Sequence, residues 1–291
     1  MKVVLIGANG QLGSELQREF GDRDLVPLTH ADLDLAETSR IGEALRAYRP
    51  DLVLNTAAYH RVDECEDFPE RSFVVNALAV RELAMISGEI GAALVHFSTD
   101  YVFDGRQRRP YREVDPPGPL SVYAASKLAG EYFARGLVER HYVIRTCGLY
   151  GLAGTRRKKG NFVETMLQLA GEGRQIQVVG DQVLTPTSAK ELARKVRQLV
   201  ETGRYGLYHI TNGGACSWYQ FAAAIFELSG LQPSLTETTS AAYGARARRP
   251  PYSVLDHHHL RRLGLDDMRP WRDALASYLE ERERTGPPRI L

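Results

Sequence analysis

At 291 residues, with 43% hydrophobic and 25% charged side chains, the chain suits one large α/β unit or a nucleotide-binding domain with a smaller partner domain. A formal net charge of +1 excludes general attraction to nucleic acid or acidic lipid, so partners must be argued from sites. The apolar run in MKVVLIGANG meets a glycine turn too early for a signal-peptide core, no later run approaches the roughly 18 residues of a membrane span, and Cys65, Cys147 and Cys216 are widely spaced, which together predict a cytoplasmic protein with no membrane contact.

Taken in chain order, short β-branched and leucine-rich runs at 2–6 (KVVLI), 24–28 (DLVPL), 52–55 (LVLN), 93–98 (ALVHFS) and 142–145 (YVIR) predict buried strands. Between them, segments at 11–20, 38–48, 68–90 and 121–138 carry helical periodicity. This alternation predicts an α/β fold, a doubly wound parallel sheet of Rossmann type. After Tyr150 a glycine-rich and basic loop, GLAGTRRKKG (151–160), opens a second, smaller C-terminal lobe. Helix 188–201 and strand 207–211 return to the sheet. The expected division is therefore a dinucleotide-binding domain over 1–150, rejoined by about 187–212, and a discontinuous substrate-binding lobe within 151–291.

The first strand runs directly into GANGQLG and then into a helix. Gly7 permits the tight turn, Gly10 lets backbone N–H groups approach a pyrophosphate, and Gly13 lets helix and strand pack closely, while the helix N-terminus favours the phosphates. Asn9, Gln11 and Leu12 complete this cofactor loop. The choice between NADPH and NADH turns on an acid at the end of the second strand, which would hold a ribose 2′-hydroxyl and repel a 2′-phosphate. That strand ends in Thr29-His30; Asp32, Asp34 and Leu35 of ADLDL lie further on and are better placed for the adenine. NADPH is favoured, and NADH stays open.

In SVYAASKLAG (121–130), Tyr123 precedes Lys127 by four residues, which puts both on one helix face. Such a pair is weak as a pattern; its position strengthens it. It opens the helix after the fourth strand, whose carboxyl end, HFSTDYVF, offers Ser98 and Thr99 at the edge where doubly wound sheets bind ligands. A lysine ammonium beside the phenol is expected to lower its pKa and suit it to acid–base work, with Thr99 holding the same substrate oxygen. The chemistry needs no metal.

In order along the chain, GANGQLG, NTAAYHRVDECE (55–66), STDYVFDG (98–105), YAASKLAGE (123–131), RTCGLYG (145–151), GNFVETML (160–167), DQVLTPT (181–187) and RPPYSVLD (249–256) resemble the dTDP-4-dehydrorhamnose reductases of the extended short-chain dehydrogenase/reductase superfamily. The resemblance covers most of the chain. It implies Tyr123 as proton donor to a 4-keto oxygen, Thr99 as a second hydroxyl, and Lys127 also gripping the nicotinamide ribose. It places Asn55, Ala57, Ala58 and Tyr59 near the cofactor. The substrate, a nucleotide sugar, would meet His60, Val62, Thr99, Asp100 and Tyr101, with Asn161 and Arg249 at its diphosphate. The implied assembly is a monomer or homodimer.

Two departures touch the substrate side. The family tryptophan of RTSW is Gly148 here, and the glycine of its DQ-x-G-x-PT motif is Leu184. A 4,6-dehydratase would follow Thr99 with Asp-Glu, whereas Asp100-Tyr101 stand here. A 4-epimerase would carry an acid at the second strand's end. The remaining alternative is a cofactor-binding regulatory subunit similar to that of methionine adenosyltransferase; the intact Thr99, Tyr123 and Lys127 argue for an enzyme. His257, His258 and His259 diverge on a helix and predict a surface segment, not a metal site. TRRKK (155–159), without interleaved aromatics, predicts a loop over a diphosphate and no nucleic-acid surface.

Overall fold

The structure is a computed structural model that describes residues 1–153 and 160–285. The elements in chain order are β1 (Lys2–Ile6), α1 (Gln11–Glu19), β2 (Asp24–Leu28), α2 (Thr38–Tyr48), β3 (Leu52–Asn55), α3 (Val62–Asp67), α4 (Pro69–Phe73), a π-turn (Val74–Leu78), α5 (Ala79–Ile90), β4 (Ala93–Thr99), α6 (Val122–Leu137) and β5 (His141–Thr146). There follow β6 (Leu149–Tyr150), α7 (Phe162–Gly171), β7 (Ile176–Val179), β8 (Val183–Leu184), β9 (Thr187–Ser188), α8 (Ala189–Glu201), β10 (Gly206–His209), β11 (Cys216–Ser217), α9 (Trp218–Leu228), β12 (Leu235–Thr238), α10 (Ser240–Tyr243), α11 (His258–Arg262) and α12 (Trp271–Thr285).

Six strands form one parallel sheet in the order β10-β5-β4-β3-β1-β2. The inner strands read as continuous apolar runs because helices cover both faces; every residue of β3 and β4 is buried. On one face, Leu12 and Leu16 of α1 and Leu192, Val196 and Leu199 of α8 pack over Val95 and Ile144. On the other, Ile41, Leu83 and Ala134 from α2, α5 and α6 pack over Val53 and Val143. A separate core joins Val163, Ile176, Phe221, Ile225 and Leu275 in the C-terminal half. As expected, α8 and β10 return to the sheet, where β10 pairs with β5. The strand order reverses at β1, whose neighbours are β2 and β3, and this is the point where doubly wound sheets open a ligand crevice.

The long helix expected over 68–90 is broken. Pro69 begins α4, as its missing N–H and fixed φ favour at a helix start. The π-turn then rotates Asn76 inward, where its amide accepts from the Tyr59 backbone N–H (2.9 Å) and donates to the Tyr59 carbonyl (3.0 Å). The segment after β3 is thereby clamped at a fixed height above the sheet.

Candidate active site

The loop between β1 and α1 is built for close approach. A Cβ on Gly13 would collide with the Gly7 carbonyl oxygen, so only glycine lets α1 start this near the strand. No side chain caps α1 at Gly10, which leaves first-turn N–H groups facing out for an anion. Two cavities meet over this loop and share Asn9, Gly10, Thr56, Ala58 and His60. The first, about 680 Å³, is rimmed by Gly7, Asp34, Leu35, Ala57 and Tyr59, with His30, Arg61 and Arg71 as its basic groups. The second, about 390 Å³, runs past Gln11 and Leu12 to Thr99, Asp100, Tyr123, Lys127 and Thr146 at the ends of β4 and β5. Through these shared residues the two cavities are continuous past the glycine loop, and the uncapped helix start and glycine cradle fit the diphosphate of a dinucleotide.

Three expected cofactor residues do not line these cavities. Asn55 is buried; its Oδ1 accepts from the Ala57 N–H (3.2 Å) and its Nδ2 contacts His96 Nδ1 (3.3 Å). Gly13 serves packing. Asp32 is turned back, its carboxylate accepting from the Thr29 N–H (2.8 Å) and hydroxyl (2.7 Å). Its expected contact with the adenine is thus replaced by closure of a turn, while Asp34 and Leu35 do reach the cavity.

At the other end, Ser121 caps α6, accepting from Ala124 N–H (3.3 Å), and so starts the helix with Tyr123 in its first turn. Tyr123 and Thr99 line the same end of the cavity, where the Thr99 hydroxyl acts on the phenol. The Thr99 hydroxyl also donates to Asp100 Oδ1 (3.0 Å) and accepts from the Tyr101 N–H (3.2 Å), which fixes its rotor. Tyr101 meets Tyr123 edge to face, with ring centroids 6.2 Å apart.

The expectation that Lys127 lowers the phenol pKa needs correction. Lys127, 2% exposed, donates from Nζ to the Phe97 carbonyl (2.6 Å) and lies 3.4 Å from His96 Nε2. Burial is the largest influence on Tyr123 and pushes its pKa above the ordinary 10, with the Thr99 hydrogen bond opposing. Tyr123 is therefore a firmly protonated phenol, the form a proton donor requires. Burial also lowers Lys127 to about 8, against the pull of Glu131. His96 is held well below its usual value by burial and by the Lys127 charge.

Asp100, expected at the substrate, lines the second cavity but is 2% exposed. Its carboxyl accepts from Thr99 (3.0 Å) and from Cys147 Sγ (2.9 Å), and burial raises its pKa in spite of these and of nearby Ser253. Cys147, pushed well above a normal thiol by burial and by Asp100, stays protonated. The two expected diphosphate contacts are engaged elsewhere. Asn161 caps α7 and its amide donates to Gln11 Oε1 (3.0 Å) and the Gly151 carbonyl (3.0 Å), tying the later half of the chain to the glycine loop. Arg249 pairs with both oxygens of Asp63 (3.1 and 2.8 Å) and donates to the Ala247 carbonyl (3.0 Å), with Tyr101 nearby. His60 lines both cavities, whereas Val62, half-buried at the start of α3, lines neither.

Several features had no signal in the sequence. Beneath the site, Arg145 and Glu131 form a two-bonded buried pair (2.7 and 2.9 Å), and Ser98 donates to the same carboxylate (2.5 Å). Gly148 has φ +51, and a Cβ there would lie 3.1 Å from Leu184 Cδ1, 3.3 Å from Pro186 Cα and 3.7 Å from the Trp218 ring. The departures at 148 and 184 are thus one change, since Leu184 occupies the room a side chain at 148 would need.

His257 is buried, contrary to the expected surface segment. Its Nδ1 pairs with Asp266 (2.7 Å), its Nε2 contacts the Thr211 hydroxyl (2.8 Å), and it locks α11 against the chain beyond β10. Among the described residues no group of three or more His, Cys, Asp or Glu is placed to hold a metal ion, and no helix is long and apolar enough to cross a membrane. TRRKK (155–159) lies outside the described residues.

The family model of the RmlD substrate binding domain matches residues 1–284. The chain is 41% identical to the spore coat polysaccharide biosynthesis protein SpsK of Bacillus subtilis, covering 97% of this chain and 98% of that one. It is 38% identical to a dTDP-4-dehydrorhamnose reductase of Streptomyces griseus, covering 94% and 91%. The crystal structure of dTDP-4-dehydrorhamnose reductase from Bacillus anthracis in complex with NADP superposes with a TM-score of 0.91 at 37% identity, over 97% of this chain and all of that one. Motifs, fold and relatives agree, and the chain belongs to the dTDP-4-dehydrorhamnose reductase family.

Proposed function

We propose that the chain is an NADPH-dependent oxidoreductase that reduces the 4-keto group of dTDP-4-dehydro-L-rhamnose to give dTDP-L-rhamnose. The observation that carries this reading is that Tyr123, Thr99 and Lys127 line one end of a groove whose other end is an uncapped glycine-rich helix start. NADPH, when bound, supplies the hydride that reaches C4 of the sugar. Tyr123, kept protonated by burial, donates its proton to the oxygen that gains charge. Thr99, which donates to Asp100 in the ligand-free chain, turns its single hydroxyl proton to the same oxygen when substrate binds. Lys127, one helical turn from the phenol and lining the same cavity, would face the nicotinamide ribose. His30, Arg61 and Arg71 suit a 2′-phosphate; Asp32 closes its own turn, and the two acids that share the cavity are paired, Asp34 with His30 (3.4 Å) and Glu64 with Arg61 (2.8 Å).

On this reading residues 1–150, rejoined by 187–212, hold the cofactor, and the rest of 151–291 forms the substrate lobe. The buried free thiols of Cys65, Cys147 and Cys216 suit a reducing cytoplasm. The test is to supply purified protein with NADPH and a panel of dTDP-linked 6-deoxy-4-keto sugars and to identify the products. Oxidation with formation of dTDP-L-rhamnose is expected. Tight NADPH binding without oxidation on any such sugar would overturn the enzyme reading in favour of a regulatory subunit.

A further inference from the structure

Beside the site lies a buried histidine that the mechanism leaves unused. His96 of β4 is fully buried, directly opposite Asn55 on β3 and in contact with Lys127 on α6. The helix comes this near because residue 130, three positions after Lys127 on the same face, is glycine. A Cβ there would collide with the Asn76 carbonyl oxygen and lie 3.3 Å from His96 Nε2.

Which atom donates to which follows from the backbone. The Ala57 N–H needs an oxygen and finds Asn55 Oδ1 (3.2 Å), so the atom that Asn55 turns to His96 Nδ1 (3.3 Å) is Nδ2, a donor. His96 Nδ1 must then accept. Burial and the Lys127 charge hold His96 neutral, and a neutral imidazole that accepts at Nδ1 carries its one proton on Nε2. That nitrogen lies 3.4 Å from Lys127 Nζ. An ammonium has three hydrogens and no lone pair, so a charged lysine meets His96 donor to donor; a neutral amine accepts from His96 and still donates to the Phe97 carbonyl (2.6 Å). Every contact in the run from Ala57 to Phe97 is thus a donor–acceptor pair only when Lys127 has lost its charge. The opposing pull comes from Glu131, one turn further along α6, whose carboxylate is already paired with Arg145 of β5. Tyr123, one turn back, is a protonated phenol and carries no charge.

We propose that His96 is a positioning residue that controls the charge of Lys127: its Nε2–H, aimed by Asn55, favours the neutral amine over the ammonium. The bearing of this on turnover rests on the reading of the cleft as a reductase site, but the charge itself can be followed without substrate. The experiment is an NMR titration of protein carrying isotope-labelled lysine, read at the side-chain Cε, in which the Lys127 signal among the six lysines is the one missing from Lys127→Met. Wild type should titrate at about 8. Losing one buried hydrogen bond to the amine corresponds to about one pH unit, roughly tenfold in the proton-dissociation constant, so His96→Phe should raise the midpoint by that much. His96→Gln, whose amide again presents an N–H to the lysine, should stay nearer to wild type.

His96→Leu replaces the phenylalanine variant if melting shows the latter unfolded. An unchanged midpoint in His96→Phe overturns the assignment. So does an equal rise in His96→Gln, which would make the effect one of packing, or a wild-type lysine that titrates at its ordinary value. Where the reductase works with the cation, kcat/KM should fall as the amine forms, and that fall should move upward in pH with the midpoint in His96→Phe. A shifted midpoint in a protein that oxidises NADPH on no sugar nucleotide keeps the role of His96 and removes the reductase reading; turnover with an unshifted midpoint does the reverse.

Discussion

Replacing Lys127 with Met is predicted to stabilise the ligand-free protein at neutral pH while abolishing turnover. The Lys127 ammonium is buried, and the fall of its pKa from 10.5 to about 8 corresponds to roughly 3 kcal/mol against the charged form in the folded chain. In the unfolded chain that lysine is solvated and charged, so wild type carries the cost at pH 7 and Lys127→Met does not. Against this, the Phe97 carbonyl loses its donor at 2.6 Å, a penalty of about 1–2 kcal/mol. The net expectation is a variant more stable by about 1–2 kcal/mol at pH 7.

The pH dependence has a definite sign. The folded pKa lies below the unfolded one, so the cost is complete below about 8 and fades as pH rises towards 10.5. Near the upper end wild type keeps its hydrogen bond at no charge cost and becomes the more stable of the two. Other titrating groups are common to both proteins and cancel in the difference. Urea midpoints of both proteins at neutral pH and near pH 10, with equal m-values, measure the effect. A variant less stable than wild type at pH 7, or a difference that stays constant with pH, would refute the argument that the catalytic cation is held at the expense of stability.

Tyr123→Phe removes the donated proton but little of the cofactor surface; kcat should fall by about 10²–10⁴ with NADPH affinity unchanged, and unchanged turnover would remove Tyr123 from the mechanism. Arg145→Met leaves Glu131 charged and buried (Arg145 2%, Glu131 0% exposed) and should cost about 3–5 kcal/mol in urea unfolding. Adding Glu131→Leu should recover most of that loss, and a single variant costing under about 1 kcal/mol would show the pair to be unimportant. Gly148→Trp should cost at least about 1–3 kcal/mol because its side chain meets Leu184 and Pro186. The double variant with Leu184→Gly should melt higher than Gly148→Trp alone, and a double variant no better than the single one would contradict the coupling of the two positions.

The sheet was legible because both of its faces are covered: KVVLI, LVLN and ALVHFS are largely apolar on both alternations, interrupted by Lys2, Asn55, His96 and Ser98, a pattern that suits a strand buried on both faces. The glycine loop and the Tyr123–Lys127 face were legible for the same local reason, since spacing along one turn or one helix fixes geometry. Groups brought together by distant segments were not. Asp100 gains Ser253 from the C-terminal half, Lys127 gains His96 and the Phe97 carbonyl from β4, and these neighbours turn a predicted cation–phenol pair into a buried, protonated phenol. Asn161 and Arg249 looked available in their motifs because nothing local announces Gln11, Tyr101 or Asp63 as partners. The π-turn that points Asn76 at Tyr59 likewise follows from tertiary packing against α6 rather than from residue propensity.

The central claim is that one phenol and one alcohol converge on the oxygen that gains charge. A crystal structure of the ternary complex with NADP and dTDP-L-rhamnose tests it most directly. The account predicts the sugar O4 within hydrogen-bond reach, about 2.6–3.2 Å, of both Tyr123 Oη and Thr99 Oγ1, with the sugar C4 against the nicotinamide ring. An O4 bound by other groups, or a ring stacked away from that carbon, would contradict it.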